Sequence, residues 1–387
     1  MKRLSFLSLS LITATMISSL ILACCTSSGQ SIPSPAVRIE HISGFPDSEP
    51  GYSLGVSACY AGFIDDKLVV VGGCNFPDVP AAEGGTKRFY KGIYVAQLAN
   101  DSTWTWAKAG ELPVEAAYGV TISLPHRLIF VGGSNSGGGL SATWSVSLNA
   151  TGSITLSDTL PPLPCTLDNM AGAALGDTLY VLGGRKGGVP STSLFSLDMK
   201  SPTKGWKEET AFPGAPRVQP VCAVQEESLY LWGGFSSASE AGGEAIVATD
   251  GYRYRPALKI WEPVSTPVIP GTEEQLTLTG GASIALSDSL ILCTGGVNKD
   301  LFLDAISGRY SLIAKENYLT QPVSWYRFNG RLLVYNTRRN HWTEWGHSAA
   351  LARAGAALAG RKNEIYVIGG ETKPGIRTAQ ICKIVIE

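Results

Sequence analysis

Leu68-Val69-Val70-Val71-Gly72-Gly73 is a phrase that this chain repeats. It returns as Leu128-Ile129-Phe130-Val131-Gly132-Gly133, Leu179-Tyr180-Val181-Leu182-Gly183-Gly184 and Leu229-Tyr230-Leu231-Trp232-Gly233-Gly234. Two more copies follow, Ile291-Leu292-Cys293-Thr294-Gly295-Gly296 and Ile365-Tyr366-Val367-Ile368-Gly369-Gly370. A short, nearly all-apolar run of this kind reads as a strand buried on both faces. A polar turn precedes each run (Asp65-Asp66-Lys67 before the first), and small residues precede the turn, as in Ala171-Gly172-Ala173-Ala174. Each unit therefore opens with a hairpin whose small-residue strand suits a crowded axis. The Gly-Gly pair marks a close backbone approach at the end of the second strand.

The first glycines of the pairs stand at 72, 132, 183, 233, 295 and 369, so the units are 60, 51, 50, 62 and 74 residues apart. A period of about 50 residues with insertions is the kelch period, one blade of a β-propeller per repeat. The expected fold is all-β, a six-bladed kelch-type propeller over residues 37–387. Tryptophans near blade ends (Trp104, Trp106, Trp206, Trp261, Trp342, Trp345) are expected to fill the wedges between blades. After Gly370 only a loop and one strand, Gln380 to Ile386, remain, so the last blade lacks its outer strand. Val37-Arg38-Ile39-Glu40-His41-Ile42 alternates like a half-buried strand and is expected to supply that edge, closing the ring.

Charged residues are 16% of the chain, 31 basic against 32 acidic, with no basic stripe, which argues against a nucleic-acid partner. Residues 1–23 read as a signal peptide: Lys2-Arg3, then an apolar stretch from Leu4 to Leu22. Leu20-Ile21-Leu22-Ala23-Cys24 resembles a bacterial lipoprotein signal in which Cys24 is lipidated, with plain secretion as the alternative. Residues 24–36 then form a flexible spacer that tethers the propeller to a membrane surface, in the periplasm or on the outside of the cell envelope. The six later cysteines show no CxxC pair and the four histidines are scattered, so no metal site is expected. The sequence shows no cofactor motif either.

The chemistry points to the loop after the sixth phrase, Glu371-Thr372-Lys373-Pro374-Gly375-Ile376-Arg377-Thr378. A Glu and an Arg bent together by Pro-Gly can face the axis, the carboxylate moving protons and the guanidinium gripping a substrate carboxylate. An exposed Glu–Arg ion pair of little consequence satisfies the same spacing.

The phrase Gly370 to Thr378 resembles the signature of the N-acetylneuraminate epimerases, kelch-type sialic acid mutarotases. Gly72-Gly73-Cys74-Asn75-Phe76-Pro77, Ala117-Tyr118-Gly119-Val120, Phe212 to Arg217 and Thr294 to Asn298 resemble the same family over nearly the whole chain after the spacer. The C-terminal place of the Glu–Arg loop resembles the cyclically permuted mutarotase subgroup; Cys74 and Thr372 depart from the family's phrases. The resemblance implies a cofactor-free isomerase that interconverts the α and β anomers of N-acetylneuraminic acid by opening and closing the sugar ring. It implies Glu371 as general base and Arg377 as the group that orients the sugar carboxylate, with the proton donor to the ring oxygen unassigned. Asn75, Arg217, Asn298 and Lys373 are the candidate substrate ligands. The insertion from Lys299 to Trp325 leaves the same face and is a candidate lid or oligomer contact. A non-catalytic glycan-binding propeller is the alternative, retaining Arg377 without needing Glu371. A sialidase needs repeated Asp-box turns, which Asp101-Ser102-Thr103-Trp104 matches only in part.

Overall fold

The computed structural model describes residues 35–100, 103–286 and 289–387. The signal segment, Cys24 and the spacer up to residue 34 lie outside the described residues, as does the Asp101-Ser102 pair.

The six phrases form the second strands of six four-stranded antiparallel sheets, the blades of a propeller. The inner strands are Tyr60–Ile64, Val120–Leu124, Ala171–Leu175, Val221–Gln225, Gly281–Ala285 and Ala357–Arg361. Blade 1 opens with the first of these and blade 6 with the last. Each second strand is buried on both sides because alternate residues enter different wedges. In blade 1, Leu68 and Val70 pack with Tyr366 and Ile368 of blade 6, while Val69 and Val71 pack with Leu128 and Phe130 of blade 2. Among the described residues six such inter-blade clusters make up the core. The tryptophans stitch blades as well: Trp206 Nε1 donates to Pro161 O at 3.0 Å, and Trp342 Nε1 to Ser265 O at 2.9 Å.

The Gly-Gly pairs meet the backbone of the following blade. Gly73 N donates to Ala116 O at 2.9 Å, and Gly370 N to Val56 O at 2.9 Å, passing from blade 6 to the segment before blade 1. At Gly72 (φ +60) a Cβ would stand 2.2 Å from Ala116 O, and at Gly369 (φ +61) 2.3 Å from Val56 O, so only glycine fits.

A second feature circles the axis. Just before each inner strand stands one residue with left-handed backbone: Ala58, Tyr118, Asn169, Gln219, Gly280 and Gly355. Their amides and carbonyls form a cycle. Tyr118 N donates to Ala58 O, Asn169 N to Tyr118 O, Gln219 N to Asn169 O, Gly280 N to Gln219 O, Gly355 N to Gly280 O and Ala58 N to Gly355 O, at 2.7 to 3.1 Å. The cycle and the inner strands line an open axial pocket of about 210 Å³.

The sixth blade draws on both ends of the described chain. Val37–Ile42 pairs antiparallel with Ile381–Ile386, from Val37 opposite Ile386 to Ile42 opposite Ile381. All six cysteines after the spacer are free thiols.

Candidate active site

Glu371 and Arg377 are brought together by a local hairpin. Glu371–Lys373 pairs with Ile376–Arg377 across the Pro374-Gly375 turn, with Glu371 directly opposite Arg377. Cross-strand partners share a face, so both side chains project to the same side. Arg377 Nη1 donates to Glu371 Oε2 at 2.6 Å and Arg377 Nε to Ser57 Oγ at 2.9 Å. The guanidinium also lies over the Phe76 ring at 5.1 Å. Arg377 is 5% exposed and Glu371 25%, which is not the surface pair that the spacing alone allows. Burial works against the Arg377 charge, and Glu371 together with Tyr118 and Cys74 outweighs it, holding the guanidinium above its ordinary value. Glu371 Oε1 accepts no hydrogen bond among the described residues, so it faces outward from the pair.

The loop backbone is fixed where it meets the inner-strand entry. Glu371 N donates to Ala354 O at 2.8 Å and Ala354 N to Glu371 O at 2.9 Å. The residue after Gly-Gly takes the equivalent place in every blade: Cys74, Ser134, Arg185, Phe235, Val297 and Glu371. Around the mouth this arranges a polar arc through blades 6, 1, 2 and 3 and an apolar arc in blades 4 and 5. Phe302, from the Lys299–Ile306 helix, extends the apolar arc by an edge contact to Phe235 at 4.9 Å.

Next to Arg377 lies a group contributed by blades 1 and 2. Cys74 Sγ is 3.9 Å from Ser57 Oγ and donates to the Tyr118 hydroxyl at 3.4 Å. Lys87 Nζ donates to the same hydroxyl at 2.9 Å and lies over the rings of Phe76, Phe89 and Tyr118. Among the described residues Lys87 has no carboxylate within ion-pair distance. Lys87, Ser57 and Tyr118 were not named as site residues by sequence reasoning. Lys87 lacks any local signal, but aligning the six residues before the inner strands singles out Tyr118 as the aromatic one.

The expected ligands are placed differently from Glu371 and Arg377. Asn75 is 2% exposed, donates to Gly51 O and Gly55 O, and accepts from the Tyr90 hydroxyl. Arg217 is 1% exposed and bound to Asp250, Ala215 O and Gly233 O. Burial would raise the Asp250 carboxyl, but Arg217 and the Tyr252 hydroxyl outweigh it and hold it below the ordinary range. Asn298 caps the Lys299–Ile306 helix by accepting from Leu301 N at 3.1 Å. Lys373 Nζ donates to Leu319 O at 3.2 Å and Gln321 O at 2.7 Å, tying the blade 5 insertion to the Glu371 loop. Each of these four residues thus has a partner within the protein that local sequence does not announce.

Residues 160–387 match the N-acetylneuraminate epimerase family. The chain belongs to this family. The matched stretch holds blades 3 to 6 and the Glu371–Arg377 hairpin, a shorter reach than the sequence resemblance implied. The chain is similar to the N-acetylneuraminate epimerase of Haemophilus influenzae (strain PittEE), 33% identical over 249 residues, 62% of this chain and 61% of that one. It is likewise similar to the epimerase of Salmonella typhi, 31% identical over 240 residues, 60% of this chain and 59% of the relative. The chain thus spans about three fifths of the length of the curated relatives it matches. The solved structure of YjhT is 29% identical, covering 57% of this chain and 64% of that chain, with a TM-score of 0.48.

Proposed function

We propose that this protein is a mutarotase that interconverts the α and β anomers of N-acetylneuraminic acid. The observation that carries the reading is the Glu371–Arg377 pair: a carboxylate with one oxygen uncommitted, beside a buried guanidinium, in a chain of the epimerase family. Glu371 takes the proton of the anomeric hydroxyl as the bond between the anomeric carbon and the ring oxygen breaks. The ring oxygen gains a proton, and the open-chain ketone closes again on its other face. Arg377, bound through Nη1 and Nε, has its second terminal nitrogen outside those two bonds and turns it to the sugar carboxylate. The apolar arc of Phe235, Val297 and Phe302 suits the acetamido methyl group. Asn75, Arg217 and Asn298 hold the frame of the mouth, and Lys373 holds the insertion beside it. A permuted blade order accounts for a match limited to residues 160–387.

In this reading Cys24 carries a lipid and the propeller works in the bacterial envelope. No helix among the described residues is long and apolar enough to cross a membrane.

Anomer exchange of N-acetylneuraminic acid followed by NMR tests the proposal. Wild type is expected to speed exchange and Glu371→Gln to lose the acceleration while still binding the sugar. Binding without acceleration in the wild type supports a glycan-binding module instead, and no binding rejects the substrate.

A further inference from the structure

The reaction needs a proton donor on the side of the ring oxygen, and the polar group beside Arg377 supplies one. We infer that Tyr118 donates that proton, with Lys87 as the positioning residue behind it. The inference rests on the mutarotase reading.

The first observation is conformational. Tyr118 belongs to the hydrogen-bonded cycle at the axis and has φ +61. Of the other five places in that cycle, Ala58, Asn169, Gly280 and Gly355 are small or suited to left-handed backbone and Gln219 is unbranched, so Tyr118 is the one aromatic residue there. A bulky aromatic residue is disfavoured there, and retained strain of this kind concentrates at functional sites.

The second observation is the state of the phenol. Its oxygen accepts from Lys87 at 2.9 Å and from Cys74 at 3.4 Å. Its own hydroxyl proton has no acceptor among the described residues, so it is available to a ligand in the mouth. Lys87 is pinned over three aromatic rings with no carboxylate to neutralise it, a fixed positive charge at the oxygen that must become a phenolate. Burial, reinforced by Cys74 and opposed by Arg377, pushes the phenol well above its ordinary value, so Tyr118 carries its proton at neutral pH.

The third observation is placement. Tyr118 enters from blade 2 and Glu371 from blade 6, with Cys74 and Ser57 of blade 1 linking them through Arg377. Acid and base therefore stand on separate arms of the mouth, as ring opening requires. Glu371 takes the anomeric hydroxyl proton, the electron pair of the C–O bond goes to the ring oxygen, and that oxygen takes the Tyr118 proton. The open-chain ketone, its carboxylate unchanged, a protonated Glu371 and a phenolate paired with Lys87 result. On closure the open-chain hydroxyl returns its proton to Tyr118 and Glu371 returns its proton to the former carbonyl oxygen, so both residues are restored.

The test uses the full chain and N-acetylneuraminic acid, with exchange rates by NMR and affinity by calorimetry. Tyr118→Phe keeps the ring and is expected to lower kcat by about a hundredfold or more, while Kd stays within about threefold. Lys87→Met is expected to lower kcat by roughly tenfold, and Lys87→Arg, which keeps the charge, to restore most of it. A Tyr118→Phe protein that exchanges anomers within threefold of wild type overturns the inference while leaving the mutarotase reading intact. Equal rates for Lys87→Met, Lys87→Arg and wild type overturn it as well, even if Tyr118→Phe does not fold. A wild type that binds the sugar without speeding exchange removes both readings together.

Discussion

The amide of Ala58 donates to the carbonyl of Gly355 at 2.8 Å, joining the entry of the first blade to the entry of the last. These residues are 297 positions apart in the chain, and their bond completes the cycle of six around the axis. The cycle also sets the floor on which the candidate site is built, since Tyr118 belongs to both.

Two glycines near this seam should respond differently to the same change. At Gly355 (φ +62) a Cβ meets nothing nearer than Ser57 Cβ at 3.6 Å, so Gly355→Ala carries only the left-handed backbone cost, about 1–2 kcal/mol. At Gly369 the added Cβ also collides with Val56 O at 2.3 Å, and Gly369→Ala is expected to cost at least about 3 kcal/mol. Urea unfolding of both variants checks this; equal midpoints would remove the close-approach explanation of the Gly-Gly pairs.

Arg217 is expected to act on stability rather than on sugar binding. Asp250→Asn leaves its guanidinium buried without a counter-charge. Asp250 is 41% exposed, so water moderates the loss to about 2 kcal/mol, below the range for a fully buried pair. Chemical denaturation measures the cost, and calorimetry should find sugar affinity within twofold of wild type. Full stability with abolished binding would return Arg217 to the list of ligands.

Stability should fall at both ends of the pH range. The folded carboxyl of Asp250 lies below its ordinary 3.8, so its contribution is complete above that value and is lost as pH falls through the lower folded one. The Cys59 and Cys222 thiols are pushed up by burial from 9.0 to about 12. Their contribution is complete below 9.0 and is lost as pH rises toward 12. A thermal melt series should show the plateau between, with Asp250→Asn flattening the acid limb. Thiol labelling of the native protein at about pH 8 should spare both cysteines; rapid labelling of either would contradict their burial.

Lys373→Met should loosen the blade 5 insertion. Two charge-assisted bonds, to Leu319 O and Gln321 O, disappear, and each such bond contributes about 1.5–3 kcal/mol. Limited proteolysis within residues 310–325 is expected to speed up by roughly tenfold or more, with KM for the sugar rising more than kcat falls. Unchanged cleavage would mean that the insertion is held by its aromatic contact to blade 4, Phe302 on Phe235, instead.

What was legible in the chain was what is local. Leu68 to Gly73 and its five relatives announce strands because an apolar run and a Gly-Gly pair need no distant information to be read. Glu371 and Arg377 were legible for the same reason: a Pro-Gly turn sets them opposite each other within one short hairpin. Asn75, Arg217 and Asn298 were named from their place in mouth loops, and the partners that engage them cannot be read there. Tyr90, Asp250 and the amide of Leu301 are those partners, and for Arg217 the partner is 33 residues away.

The sequence by itself determined the six repeats, the strand that closes the sixth blade, and the hairpin that sets Glu371 opposite Arg377. It did so because hydrophobic period, turn residues and cross-strand pairing act over a few residues. Only the tertiary structure decided which polar groups meet at the mouth. Cys74 and Lys87 come from one loop and Ser57 and Tyr118 from two others, and they gather beside Arg377 because the ring turns these loops toward one axis. Burial and charge partnership are properties of that gathering, so no stretch of sequence carries them alone.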